Sequence, residues 1–144
     1  MKTFYTKNAE ETQELAARLV KTWKGGDVVG LVGDLGAGKT TFVQGVAKAL
    51  GIKRAVKSPT FLRMQVYELT TYNLQLTTFI HIDAYRIKKP EQLLELGLED
   101  YLGRKDTLIV IEWAEKIKRI LPKRMRWIRF DYGNREGERK FSTL

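Results

Sequence analysis

Two stretches of the chain, Val28-Val29-Gly30-Leu31-Val32 and Thr107 to Ile111, are apolar without alternation, the pattern of strands buried on both faces of a parallel sheet. The segments between them follow a longer period. Leu15, Ala16, Leu19 and Val20 recur at helical spacing behind Asn8 and Glu11, which have the form of a capping box, and predict a helix over about Ala9 to Trp23. Gly25 and Gly26 stop it. Phe42, Val43, Val46, Ala47 and Leu50 form the apolar face of a second helix, ended by Gly51. Thr60 to Leu69 and Leu74 to Asp83 are rich in β-branched and aromatic residues, with Tyr72-Asn73 between them, and predict a β-hairpin whose second arm is a core strand. Pro90 suits the first turn of a helix from Glu91 to about Leu96, continued with a break through Gly97 to Leu102. Trp127 to Asp131 and Lys140 to Leu144 read as strands joined by a Gly-rich polar turn.

Strand, glycine turn, helix and then further strands with helical crossovers give an α/β domain: three layers around a mostly parallel central sheet, with a β-hairpin and antiparallel C-terminal strands added. There is no repeat, low-complexity stretch or linker, so residues 1–144 are expected to form a single domain. Composition narrows the chemistry. With no cysteine and one histidine, His81, disulfides and thiolate zinc sites are excluded, and any catalytic metal is hard and oxygen-bound. No apolar run has the length of a signal peptide or a membrane span, so the expectation is a cytoplasmic protein without a membrane partner. The 26 Lys and Arg against 17 Asp and Glu, a formal charge of +9, fit a polyanion partner, a nucleotide pocket or a lysine-rich solvated surface.

Gly33-Asp34-Leu35-Gly36-Ala37-Gly38-Lys39-Thr40 satisfies G-x-x-x-x-G-K-[ST] and lies between a predicted buried strand and a helix N-terminus, where a phosphate-binding loop has to lie. Gly36 and Gly38 let the backbone pass close to phosphate oxygens and turn its N–H groups inward, and the helix dipole adds partial positive charge. Lys39 reaches the β and γ phosphates as a point charge; Thr40 offers a hydroxyl to Mg²⁺ and Thr41 a second to the α-phosphate. Such a site needs a carboxylate near the metal at the end of a neighbouring strand, and Leu108-Ile109-Val110-Ile111-Glu112 supplies one. His81-Ile82-Asp83 ends another strand with an acid, which makes Asp83 a second candidate for metal or water contact. A lone histidine such as His81 is more often structural than catalytic. No N-K-x-D signature is present, which favours adenine over guanine, and the acidic, Leu-rich segment Glu91 to Leu102 makes a poor phosphate lid. Ser58-Pro59-Thr60-Phe61 is a candidate switch, with Thr60 placed to sense the γ-phosphate and metal.

In this order the Gly33–Thr41 loop, Ser58-Pro59-Thr60-Phe61, His81-x-Asp83-x-Tyr85-Arg86 and Ile111-Glu112-Trp113 resemble the bacterial TsaE family, also called YjeE, over about residues 8 to 132. The resemblance implies a P-loop NTPase-like fold. It further implies a small ATPase that uses ATP and Mg²⁺, hydrolyses ATP slowly alone and works with TsaB and TsaD in threonylcarbamoyladenosine synthesis at A37 of tRNAs that read ANN codons. By the same resemblance Thr40 and Glu112 hold the metal, and Leu35, Gly36, Ala37, Gly38, Lys39, Thr40 and Thr41 enclose the phosphates. Lys39, Asp83 and Glu112 are then the catalytic residues, Thr60 and Phe61 the switch, Trp113 a neighbour of the nucleotide, and Arg139, rather than Arg135, a C-terminal contact to ATP. Two other functions are compatible with the residues alone: a P-loop kinase of a small metabolite, and a nucleotide-dependent RNA-binding module drawing on the clusters after Gly51 and Glu115.

Overall fold

The computed structural model describes residues 1–53, 56, 64–70 and 75–144. Its elements are β1 (Lys2–Thr6), α1 (Ala9–Val20), β2 (Val28–Gly33), α2 (Lys39–Ala49), β3 (Met64–Glu68), β4 (Thr78–Asp83), α3 (Glu91–Glu95), β5 (Thr107–Glu112), β6 (Arg126–Tyr132) and β7 (Arg139–Thr143). Two 3-10 segments, Leu98–Asp100 and Ala114–Ile120, follow α3 and β5. The strands form one sheet in the order β1-β7-β6-β2-β5-β4-β3. β6, β2, β5 and β4 are mutually parallel; β3 pairs antiparallel with β4, and β7 and β1 continue antiparallel from β6.

The two all-apolar runs, now β2 and β5, lie at the centre, where both faces of a strand are buried. Alternation divides them. Val29, Leu31, Leu108, Val110, Phe79 and Phe130 pack against α1 and α2 on one face, while Val28, Ile80, Ile82, Ile109 and Ile111 pack with Leu93, Leu98, Ala114 and Ile117 on the other. The result is the expected three layers, the second helical layer being made of short segments. Among the described residues no helix is long and apolar enough to cross a membrane.

Local chemistry accounts for the helix ends. The Glu11 N–H donates to Asn8 Oδ1 at 2.8 Å, and Glu11 Oε1 accepts from the Lys7 N–H at 2.8 Å, one residue before the cap. Helix α2 ends as predicted, with Gly51 and Ile52 donating to the Lys48 and Ala47 carbonyls at 3.1 and 3.0 Å, a Schellman closure.

Three elements differ from the sequence reading. The N-terminal strand β1 carries no local signal: KTFYT has no apolar run, and its place comes from pairing with β7 at the far end of the chain. β6 belongs to the parallel block, so only β7 and β1 are antiparallel on that side. α1 stops at Val20 rather than Trp23, because Thr22 and Trp23 donate to the Leu19 and Val20 carbonyls in a tightened last turn. The predicted hairpin is present as β3 and β4, with Tyr72-Asn73 outside the described residues.

Helices α1 and α2 approach closely because Gly45 has no side chain: a Cβ there would lie 2.6 Å from Gln13 Cα and 2.7 Å from the Gln13 carbonyl oxygen. Alanine is worth about 1 kcal/mol more than glycine in a helix, but overpacking against backbone costs about 1–3 kcal/mol. The clash wins, so Gly45→Ala is expected to lower stability in urea unfolding by about 1 kcal/mol; a more stable variant would contradict this close helix approach.

Candidate functional site

The turn from β2 into α2 carries the glycine motif. Gly33 has φ +149, and a Cβ there would sit 2.4 Å from the Phe130 carbonyl oxygen, so no other residue fits. Gly38, with φ +101, is the N-cap of α2, and as a glycine it has no side chain of its own to cap that helix start, the kind of terminus at which backbone N–H groups favour an anion. The loop is braced from β6 and β7. Tyr132 Oη donates to the Leu35 carbonyl, and an Arg139 Nη donates to the Gly36 carbonyl at 3.1 Å.

Lys39 is 4% exposed, and its ammonium donates to the Gly33 carbonyl and, at 2.8 Å, to the Asp34 carbonyl. It lies 4.2 Å from the centre of the Trp113 ring. Burial lowers its pKa below the usual lysine value, and the carboxylates of Glu112, Glu115, Asp34 and Asp83 act in the opposite direction. Trp113 has a left-handed backbone, φ 59, unusual for a bulky residue, and its N–H donates to the Leu31 carbonyl at 3.0 Å. Its ring also meets Tyr85, centroid to centroid at 5.0 Å.

Strand register brings the acids together. Asp83 pairs with Glu112 across β4 and β5, at the C-terminal ends of both strands. Glu112 is almost fully buried and uses both oxygens: Thr40 Oγ1 donates to Oε1 at 2.8 Å, and His81 Nε2 lies 2.6 Å from Oε2. His81 Nδ1 is buried and has no hydrogen-bond partner among the described residues. A bare lone pair there is tolerated better than an orphaned N–H, which favours the tautomer with Nε2 donating to the carboxylate. Asp83 Oδ1 accepts from the Tyr85 N–H at 3.0 Å.

These groups open on a cleft of about 530 Å³, within the usual range for small-ligand sites. Leu35, Gly36, Gly38, Lys39, Thr40, Thr41, Asp83, Glu112 and Arg139 all line it, as does Trp113. Ala37 does not; its side chain is in the α1–α2 core and only its backbone serves the loop. Thr60 and Phe61 lie outside the described residues. Sequence reasoning misses three contributions. The start of α1, with Asn8, Ala9 and Thr12, forms one wall of the cleft. Tyr132 holds the loop, and His81, read from the sequence as more often structural than catalytic, anchors the carboxylate that meets Thr40. An apolar strand ending His-Ile-Asp beside one ending Ile-Glu is the available signal for His81, given the parallel pairing. His81→Ala strands a buried carboxylate oxygen, and the expected cost is about 3 kcal/mol in urea unfolding. If Glu112→Gln is made first, the same substitution is expected to cost much less; equal losses in both backgrounds would show that the pair is not coupled.

A family model described as threonylcarbamoyl adenosine biosynthesis protein TsaE matches residues 6–141. The tRNA threonylcarbamoyladenosine biosynthesis protein TsaE of Rickettsia felis is 44% identical over 115 residues, covering 79% of this chain and 63% of the relative. That of Bacillus subtilis is 39% identical over 140 residues, covering 96% and 84%. The chain thus spans slightly under two thirds of the Rickettsia felis protein. The crystal structure of Bacillus subtilis YdiB superposes with a TM-score of 0.77 at 34% identity, over 99% of this chain and 83% of that one. Family match, sequence identity and backbone superposition agree, and the chain belongs to the TsaE family.

Proposed function

We propose that this chain is a Mg²⁺-dependent ATPase subunit, required for threonylcarbamoyladenosine modification at A37 of ANN-decoding tRNAs and acting in the cytoplasm with TsaB and TsaD. The relatives' names and the family match support the tRNA role. The observation that carries the nucleotide reading is the junction of Lys39, Thr40 and Glu112 at a helix start whose N-cap is a glycine.

The residues fit both ATP and Mg²⁺. The start of α2, whose N-cap is a glycine, and the Lys39 ammonium supply N–H donors and positive charge for phosphate oxygens. A hydroxyl and a carboxylate oxygen held 2.8 Å apart, Thr40 Oγ1 and Glu112 Oε1, are the hard donors that would hold Mg²⁺. Held there, Mg²⁺ would supply neutralisation of phosphate charge. His81 fixes the Glu112 carboxylate so that Oε1 stays directed at Thr40. Asp83, opposite Glu112 in register and lining the same cleft, orients the attacking water. Arg139 holds the loop through Gly36 and adds charge at the cleft wall. Thr60 and Phe61 take the switch role. No acceptor-binding helix lid overlies this cleft among the described residues, which fits hydrolysis under the control of partner proteins.

Three measurements test the proposal. ATP turnover is expected to rise on adding TsaB and TsaD and to fall at least 100-fold, about 2.7 kcal/mol, in Lys39→Ala; unchanged turnover with both partners present would count decisively against it. Thr40→Ala is expected to raise the Mg²⁺ concentration for half-maximal turnover while leaving Mg²⁺-free nucleotide binding nearly unchanged. Transfer of labelled phosphate to a small acceptor without partners would instead make the protein a kinase.

A further inference from the structure

The nucleotide cleft lies at the C-terminal ends of the parallel strands, yet much of the positive charge lies elsewhere. Three loops meet at the N-terminal ends of β2, β5 and β6. A Cβ on Gly25 would fall 1.6 Å from the Lys105 carbonyl oxygen, the Gly26 N–H donates to the Thr107 carbonyl at 2.8 Å, and Arg126 Nε lies 3.1 Å from Asp27 Oδ2. Segments 21–27, 103–107 and 122–126 are therefore neighbours. They hold seven Lys or Arg and two Asp, a net charge of +5 out of the chain's net +9. Both carboxylates are engaged: Asp27 by Arg126, and Asp106 by Arg104, whose hydrogen bonds hold the Asp106 carboxyl down at about 2. Lys21, Lys24, Lys105, Lys123 and Arg124 are exposed and have no carboxylate partner among the described residues. Lys118, 5.8 Å from the centre of the Trp127 ring, continues the positive surface onto the adjoining face.

This edge is separated from the phosphate loop by the length of β2, six residues or roughly 20 Å. At about two Debye lengths, its charges contribute little to nucleotide binding. The large hydrophobic residues that are exposed, such as Tyr5, Leu35, Tyr85, Leu96 and Tyr132, all lie outside these loops. Trp23, in the first of these loops, is half-buried against the core and lines an apolar cleft with Lys21, Lys24 and Leu76, so the outermost groups that the edge presents are its cations rather than an aromatic ring. A row of long, solvated cations fits a phosphate backbone, read by charge and spacing.

We propose that this basic edge, remote from the nucleotide cleft, binds the phosphate backbone of a folded RNA. The choice of RNA rests on the tRNA role proposed above.

The test is binding of labelled tRNA by the full chain between 25 and 200 mM salt, followed by anisotropy, with ATP turnover and melting temperature measured on the same preparations. Lys105→Glu/Lys123→Glu/Arg124→Glu is expected to weaken binding at low salt at least tenfold and to lower the salt slope by about 2–3, at roughly 0.7–0.9 for each phosphate no longer neutralised. Its turnover and melting temperature stay at the wild-type values. The control Lys2→Glu/Lys89→Glu/Arg135→Glu makes the same charge change elsewhere and is expected to bind almost as wild type. Equal losses in the two triple variants, no tRNA binding by the wild type at low salt, or binding of anionic vesicles in preference to tRNA would overturn the proposal. Wild-type tRNA binding without ATP turnover would leave the edge intact and defeat the ATPase reading alone.

Discussion

The constraint on which the site depends is the burial of a lysine ammonium. Desolvating a charge of that size costs several kcal/mol unless polar partners replace water, and Lys39 is 4% exposed. The replacements are the Gly33 and Asp34 carbonyls, the face of Trp113 and nearby carboxylates. Each has a structural consequence. Carbonyls can point at the ammonium only if the chain curls around it directly after β2, which is why Gly33 takes a conformation closed to other residues and lies against the backbone of β6. The indole reaches it only because Trp113 accepts a left-handed backbone at the end of β5.

The carboxylates follow from strand parity. On β5 the even positions Leu108 and Val110 face α1 and α2, so Glu112 does too; on β4, Phe79 faces the same way, and His81 and Asp83 continue that series. Side chains that farther down each strand are core thus become, at its end, a hydrogen-bonded His81–Glu112–Thr40 chain and an adjoining aspartate. Packing and chemistry use the same alternation. A parallel block of four strands puts these ends on one edge, as open α/β sheets do for their ligands.

Local signals carry much of this. The glycine loop, the apolar β2 and β5, the capping Asn8 and the Gly51 stop are statements about neighbouring residues, and the structure has them where the sequence puts them. The features that stay hidden are non-local. β1 is an edge strand held by β7, and the parallel partner of β6 is β2, nearly a hundred residues earlier. The role of His81 depends on the β4–β5 register, and those of Tyr132 and Arg139 on the return of the chain against the loop. The charge of +9 is ambiguous in the sequence for the same reason. Only the fold shows that Lys39 is buried at one end of the sheet while segments distant in sequence gather their cations at the other.

The role of the buried Lys39 ammonium is tested by calorimetric titration of the full chain with ATP, in millimolar Mg²⁺ and again in EDTA, for wild type and Lys39→Ala. A site built on a buried ammonium and a Thr40–Glu112 oxygen pair predicts one-to-one binding that Mg²⁺ tightens and Lys39→Ala abolishes. Equal binding by the two proteins, or affinity indifferent to Mg²⁺, would contradict it.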